Sequence, residues 1–297
     1  MLGSWTKKNF FVSFLAAAAA CTPSFQTPSD VNDLRVLAVQ AEPPEAQYDA
    51  TSADRVHIRI LAVDPANDGA FALMKWDICA PTDSRRCDQP IIPQAAGSQT
   101  RHGGNEFSTD IAIPASLVQD LVGNDKLGGY LGTFFAQFSF SVVDGDPHGA
   151  VYADKSLVYS RRDHPPNHNP LLIGVAVTVG GVADRTLAPD EKFVVKLGTE
   201  YGLRPIPAAD ARETYDTTDL TGKPVHLTEQ LSYSFFTTPG GEFDRDTADE
   251  PFDGVAPPDG LTRFDAFRAS TASSTIWLVV RDGRGGESWI AIPWTTG

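Results

Sequence analysis

The chain of 297 residues carries 38 acidic against 24 basic residues, which gives a formal net charge of −14. Phosphate recognition needs clustered Lys and Arg, and the sequence has no such cluster; this excludes nucleic acid as a partner and makes adhesion of the body to anionic lipid head groups unfavourable. No apolar run reaches the roughly 20 residues of a membrane-spanning helix, so we expect a soluble body.

The first 20 residues have the features of an export signal. Lys7 and Lys8 precede the apolar run Phe10–Ala20, which ends immediately before Cys21. A short basic head, an apolar core of about 7–15 residues and a small-residue exit are typical of secretory signal peptides. We therefore predict that residues 1–20 are a signal peptide.

The end of this run resembles the lipobox of bacterial lipoproteins. Ala18-Ala19-Ala20-Cys21 stands where that family usually has Leu-Ala-Gly/Ala-Cys, with Ala18 in place of the commonest Leu. The resemblance implies lipidation of Cys21 with acyl chains such as palmitate, and two or more chains anchor a protein stably. Because Thr22 rather than Asp follows, it also implies the outer membrane. An ordinary secretory signal cut at Ala18–Ala20 is the alternative.

Residues 21–33 are predicted to be a lipidated tether. Thr22–Asp33 is rich in Pro, Ser and Thr, and only Phe25 and Val31 in it are suited to burial. A coil of about 12 residues would hold the body roughly 20 Å from its anchor.

Residues 34–161 are predicted to form a first β-domain. Apolar residues alternate in short runs between turn residues, as in half-buried strands. The predicted strands are Leu34–Ala41, Arg55–Val63, Leu73–Cys79, Phe107–Ile113, Phe134–Val143 and Val151–Tyr159. Ala115–Val122 has apolar residues at helical spacing and predicts one short helix that ends at Gly123.

Cys79 and Cys87 are predicted to form a local disulfide. Two nearby cysteines in an exported chain favour a disulfide, because the compartment is oxidising. Closing so short a loop stabilises by about 2–3 kcal/mol on the chain-entropy estimate. A metal site is the alternative, but His57 and His102, the nearest histidines, lie far away in sequence.

Residues 162–170 are a predicted linker, because Arg161–Pro170 contains three prolines and no apolar residue. The strand pattern resumes over residues 171–297, the predicted second domain. Its predicted strands are Leu171–Val179, Lys192–Leu197, Leu231–Thr238, Phe264–Ala269, Ile276–Arg281 and Ser288–Trp294. Phe140–Gly149 and Ile276–Gly286 each run from a strand into an Asp-Gly turn, which suggests an internal repeat. We interpret Asp144, Asp146 and Asp282 as turn formers.

Many short strands at regular spacing predict an all-β protein of two tandem immunoglobulin-like sandwiches. Parallel βαβ units would need a longer helix between strands. The opening run Leu34–Glu45, the Trp76 to Cys79 strand and the closing hairpin resemble the immunoglobulin-like modules of bacterial surface lipoproteins of unassigned function. That resemblance implies a scaffold and no particular ligand. Cys79 and Cys87 are too close to bridge two sheets as the cysteines of antibody domains do.

An acidic stretch is the one weak candidate for a metal site. Its carboxylates are Asp244, Asp246, Asp249, Glu250 and Asp253, with Asp259 nearby. Ca²⁺ takes six to eight oxygen ligands from such loops, but the spacing does not fit an EF-hand. A solvated acidic loop is the favoured interpretation.

No catalytic residue and no cofactor is predicted, because the sequence has none of the local motifs of hydrolases or phosphate-binding enzymes. His164 and His168 are interpreted as linker residues, since Pro165-Pro166 prevents the helix that would align them on one face. The aromatic residues of the body mostly alternate at strand spacing, which favours core positions over a sugar-stacking platform. They are Trp76, Trp277, Trp289 and Trp294, with Phe134, Phe135, Phe138 and Phe140.

The functional hypothesis is a lipid-anchored cell-envelope protein that acts as a binding or assembly module. Its expected partners are the membrane, through the anchor, and an envelope protein or glycan. The alternative is a periplasmic or surface hydrolase with its site at the domain junction near Arg161–Pro170, and a third possibility is a structural spacer.

Overall fold

The computed structural model describes residues 27–65, 71–79, 87, 97–102, 105–123, 132–142, 150–163, 165–219, 221–249, 260–268 and 274–297. The predicted signal peptide, Cys21 and the turn with Asp144 and Asp146 lie outside the described residues.

The first sandwich is built from two sheets that enclose one apolar core. Its elements are β1 (Arg35–Glu42), β2 (Glu45–Tyr48), β3 (Val56–Val63), β4 (Phe71–Cys79), β5 (Gly97–His102), β6 (Glu106–Ile111), α1 (Ala115–Gly123), β7 (Gly132–Val142) and β8 (Val151–Arg161). The strand orders are β1-β3-β6 and β2-β8-β7-β4-β5. Ile58 and Ile60 of β3 share the core with Met74 and Ile78 of β4 and with Val118 of the helix.

The second sandwich repeats this arrangement with more strands. Its elements are β9 (Leu172–Val179), β10 (Val182–Leu187), β11 (Phe193–Val195), β12 (Glu200–Pro207), β13 (Thr214–Thr218), β14 (Pro224–Thr228), β15 (Ser232–Thr237), β16 (Gly241–Phe243), β17 (Thr247–Asp249), β18 (Thr262–Ala266), β19 (Thr275–Arg281) and β20 (Glu287–Thr296). The two large sheets have the orders β10-β9-β12-β18-β16 and β11-β20-β19-β15-β17, and β13 pairs with β14 in a separate hairpin.

Strand order identifies both sandwiches as immunoglobulin-like. In each, the opening segment contributes to both sheets, as β1 and β2 in the first and as β9 and β11 in the second. The second piece then pairs in parallel with the last strand, β2 with β8 and β11 with β20. The remaining strands divide between the sheets in the order of that fold. The predicted all-β class with two tandem immunoglobulin-like sandwiches is confirmed.

The predicted strands are present within a few residues of their expected bounds, and so is the predicted helix. The strands that the sequence pattern missed are β2, β5, β10, β12, β13, β14, β16 and β17. Strand β12 contains Pro205 and Pro207, which argue against a strand, and β13 and β14 are short, with Tyr215, Val225 and Leu227 as their apolar residues. Tertiary pairing overrides these weak local signals.

Candidate functional site at the junction of the two sandwiches

The two sandwiches pack side by side through the outer faces of two sheets. Along β19, Ile276, Leu278 and Val280 enter the core of the second sandwich, whereas Trp277 and Val279 point the other way, towards the first sandwich. The apolar junction cluster consists of Val31, Leu37, Ala38, Leu61, Val63, Phe236, Trp277 and Val279. Trp277 therefore belongs to the junction rather than to a sandwich core.

Continuous apolar runs are the sequence signal for this burial on both faces. Residues 276–280 of β19 and residues 60–63 of β3 are buried without interruption. A strand with one solvated face shows alternation instead, and an unbroken run indicates cover on both sides. These two unbroken runs are therefore the sequence signal that places β3 and β19 at a junction.

An aromatic and charged cluster closes one side of the apolar junction cluster. The Arg59 guanidinium lies 4.8 Å from the ring centroid of Trp289. The indole Nε1 of Trp289 donates to Glu106 Oε1 at 3.0 Å, and Arg59 pairs with Glu106 Oε2 at 3.0 Å. Trp289 is thus bound to the first sandwich by its ring face and its N–H.

The tether prediction is wrong for the residues nearest the body. The Val31 N–H donates to the Thr237 carbonyl, and the Thr237 N–H donates to the Ser29 carbonyl, both at 2.9 Å. Asp30 and Thr237 form a parallel β-bridge, and Val31 is fully buried. Residues 29–31 therefore pack against β15 of the second sandwich, because Val31 fills the apolar junction cluster.

A group of buried charges joins the sandwiches where the chain passes from one to the other. The charged junction network consists of Glu45, Lys155, Glu229, Arg281, Asp282, Arg284 and Glu287. Arg284 is its centre: the guanidinium contacts Glu229 at 2.9 Å and Glu45 at 3.3 Å, and it lies 4.1 Å from the ring centroid of Tyr215. Glu45 comes from the first sandwich and Glu229 from the second, so one cation connects them.

The turn between β19 and β20 holds Asp282 in the position that the sequence predicted. Its Oδ1 accepts the N–H groups of Arg284 and Gly286 at 2.7 and 2.9 Å, as a turn-forming Asp does. Its Oδ2 also accepts Asn167 Nδ2 at 2.8 Å, and Asn167 is fully buried. The predicted linker is therefore part of the junction.

Glu287 caps the edge of the first sandwich. Its Oε1 accepts the Val39 N–H at 2.5 Å and lies 3.7 Å from Lys155 Nζ, while its Oε2 pairs with Arg281 at 2.8 Å. Arg281 also donates to the Leu37 carbonyl at 3.2 Å. Side chains of the second sandwich thus satisfy the outer edge of β1.

Burial shifts the pKa values of several groups in the charged junction network. Desolvation lowers the pKa of Lys155, and the nearby charge of Glu287 only partly opposes that shift. Desolvation raises the pKa of Asp282 and of Glu229, against the hydrogen bonds that their carboxylates accept. For Lys155, Asp282 and Glu229 alike, desolvation on burial is the largest cause of the pKa shift.

A cleft of about 470 Å³ opens beside this network. It is lined by residues 36–39 of β1, residues 153–156 of β8, Arg281, Glu287 and glycines of the last turn. Among the described residues that line it there is no His and no Cys, and Ser156 supplies the only hydroxyl group. Glu287 and Lys155 already contact each other and backbone groups, so the charges of the cleft hold the junction together.

The structure contains the predicted disulfide between Cys79 and Cys87, whose Cα atoms are 5.5 Å apart. His168 pairs with Glu213 at 2.5 Å on the surface, outside the lining of the cleft, and His164 lies outside the described residues.

Of the calcium candidates, Asp244 accepts hydrogen bonds from Thr262 Oγ1 at 3.0 Å and from the Arg263 N–H at 2.7 Å. Glu250, Asp253 and Asp259 lie outside the described residues. Within the described ranges, no group of three or more His, Cys, Asp or Glu residues could hold a metal ion. In the same ranges, no helix has both the length and the apolar character to cross a membrane.

No protein-family model matches this chain, and no curated protein matches it in sequence. Among solved structures, it is similar to a transglutaminase of red sea bream at 11% identity, with 90% of this chain and 32% of that chain covered and a TM-score of 0.28. It is also similar to the Ig1-2 module of the Drosophila receptor protein tyrosine phosphatase DLAR, at 12% identity and with a TM-score of 0.26. That similarity covers 90% of this chain and 100% of the module. A further similarity is to the Yersinia pseudotuberculosis adhesin InvE, at 10% identity and with a TM-score of 0.21. It covers 89% of this chain and 60% of the adhesin chain.

The chain spans about a third of the length of the transglutaminase. The assignment of the fold rests on the strand order and not on these low-scoring similarities.

Proposed function

We propose that this chain is a lipid-anchored cell-envelope protein that acts as a binding or assembly module, in which two immunoglobulin-like sandwiches work as one rigid body. The lipid anchor is Cys21, the location is the outer membrane, and the partner is an envelope protein or glycan. The lipobox-like sequence Ala18-Ala19-Ala20-Cys21 supports the anchor.

The observation that supports a binding or assembly module is the side-by-side junction of the two sandwiches. Domains joined only by a short linker move relative to each other unless their interface is large and apolar. Here apolar side chains of both sandwiches fill one cluster, and Arg284 contacts carboxylates of both sandwiches. A fixed arrangement of two sandwiches suits a protein that presents a surface at constant geometry.

Metabolic labelling with a lipid precursor tests the anchor. Cells that express the full chain are grown with labelled palmitate, and the wild type is compared with Cys21→Ala. We expect label and membrane association in the wild type, and neither in the variant, because the thiol is the attachment atom. Equal partition of both forms, or a signal peptide still present on the mature protein, would refute the proposal.

A hydrolase at the junction is the second candidate, and the cleft of about 470 Å³ is the observation that favours it. Its test is turnover of ester, amide and glycoside substrates by the purified protein, with Lys155→Met as the matched variant, because Lys155 lies in the cleft. Turnover that the variant loses would favour the enzyme, and no turnover with any substrate class would favour the module.

A further inference from the structure

We infer that the anchored protein has a preferred orientation, in which the end at which β1 begins lies nearer the membrane than the opposite end. This inference rests on the lipid anchor proposed above. The anchor end is defined by residues 27–31 and Thr237. The linker end is defined by residues 165–170, the Asp282–Gly286 turn and the base of the β13–β14 hairpin.

The first step is the short free length of the chain. Residues 29–31 are bound to Thr237 by two backbone hydrogen bonds, and Arg35 Nη1 donates to the Pro28 carbonyl. Residues 22–27 therefore separate Cys21 from Pro28, whose carbonyl accepts from Arg35 of the body. Seven residue steps, fully extended, span at most about 25 Å. The lipid is thus attached close to the anchor end.

The second step is the separation of the two ends along the strands. Thr237 pairs with Ile276 at one end of β19, and Arg281 lies at the other end, next to the Asp282–Gly286 turn. Five residues of extended strand correspond to about 17 Å. Strand β1 runs the same way, because Arg35 contacts Pro28 at the anchor end and Glu42 contacts Asn169 at the linker end.

The linker end exposes the β13–β14 hairpin. The β13–β14 hairpin is attached there, since Glu229 at its base contacts Arg284 and Glu213 pairs with His168. In the described part of this hairpin most side chains are exposed or half-buried, and His226 is exposed. The base of the β13–β14 hairpin therefore lies at the end directed away from the bilayer.

Energy transfer from single fluorophores to the bilayer tests the orientation. The full-length lipidated protein is reconstituted into zwitterionic vesicles that contain an acceptor-labelled lipid. The label sites are Phe267→Cys, whose N–H donates to the Gly240 carbonyl near Thr237, and His226→Cys on the hairpin. Each introduced cysteine is the free thiol for labelling, because Cys79 and Cys87 form a disulfide and Cys21 carries the lipid in this proposal.

We expect the fluorophore at residue 267 to lie closer to the bilayer than the one at residue 226, because the two ends are separated by about 17 Å along β19. A matched variant carries a long Gly-Ser insertion between Gln26 and Thr27, before the residues that bind Thr237, so Ser29 and Val31 keep their hydrogen bonds to the body. This variant should lose the difference, because its anchor no longer restrains the body.

Mass spectrometry of Cys21 separates the two possible failures. Equal distances at residues 267 and 226 in protein that does carry the lipid would overturn the orientation and leave the anchor in place. Absence of the lipid from Cys21 would overturn the anchor and the orientation together.

Discussion

The junction has two regions that follow different physics. The apolar junction cluster joins the outer faces of two sheets through side chains such as Leu61, Val63 and Trp277. The charged junction network joins the linker to the final turn through Arg284 and buried carboxylates. Burying a large apolar side chain stabilises by about 1.5–3 kcal/mol and has no preferred direction. A buried ion pair contributes little net stability, but removing one partner is costly.

The two regions therefore have different roles, one in the association of the sandwiches and the other in their relative alignment. On these magnitudes we expect the apolar junction cluster to supply most of the free energy that holds the sandwiches together. The charged junction network fixes how they meet, because each carboxylate accepts from particular donors, as Glu287 does from Val39 and Arg281. Four variants test this division, and we expect their effects to decrease in the order Trp277→Ala, Arg284→Ala, removal of the disulfide and Asp282→Asn.

Trp277→Ala should have the largest effect. Trp277 is 3% exposed, and truncating a buried Trp costs about 3–5 kcal/mol of unfolding free energy. Small-angle scattering should show the two sandwiches moving apart. The matched control is Leu278→Ala, whose side chain enters the core of the second sandwich: it should lower stability without opening the junction. Unchanged scattering for Trp277→Ala would refute the role of the apolar junction cluster.

Arg284→Ala should come next. The side chains of its partners Glu45 and Glu229 are 2% and 1% exposed, so the variant leaves buried charges without a counter-charge, at about 3 kcal/mol. Arg162→Ala is the control, because Arg162 pairs with Asp49 and Asp54 at the surface, where a pair contributes about 1 kcal/mol or less. Urea unfolding measures both, and equal losses would contradict the prediction.

Removing the disulfide should have a smaller effect, away from the junction. Replacing Cys79 and Cys87 by Ser removes the covalent loop that restricts the unfolded chain. The gain in entropy of the unfolded chain lowers the free energy of unfolding by about 2–3 kcal/mol. The unfolding midpoint of the first sandwich should fall, while the scattering profile of the native protein stays as in the wild type. An opened junction in this variant would show that the disulfide acts on the interface.

The pH dependence of Asp282→Asn should give the smallest effect. Burial raises the pKa of Asp282 above its ordinary 3.8. The native state therefore binds more protons than the unfolded chain just above that value, so this carboxyl lowers the free energy of unfolding as pH rises through that window. The free energy of unfolding of Asp282→Asn should fall less between about pH 4 and pH 7 than that of the wild type. Parallel pH curves from urea titrations would contradict this expectation.

Sequence patterns predicted the elements best where one face of a strand is buried and the other is solvated. In β3, Val56, Ile58 and Ile60 alternate with His57 and Arg59, and the burial follows that alternation. The same reasoning placed Trp277 in a core, because alternation alone does not say which of two apolar faces meets which partner. The hairpin β13–β14 was missed because its stability depends on Glu229 and Tyr215 contacting Arg284, far away in sequence.

The all-β class, the local disulfide between Cys79 and Cys87 and the turn at Asp282 follow from the amino-acid sequence, because each depends on residues close together in the chain. Three features are visible only in the folded molecule: the sandwiches lie side by side, Val31 is buried in the junction, and Glu45 and Glu229 share Arg284. These contacts join residues far apart in the chain, and their free energy comes from removing two distant surfaces from water, which no local pattern encodes.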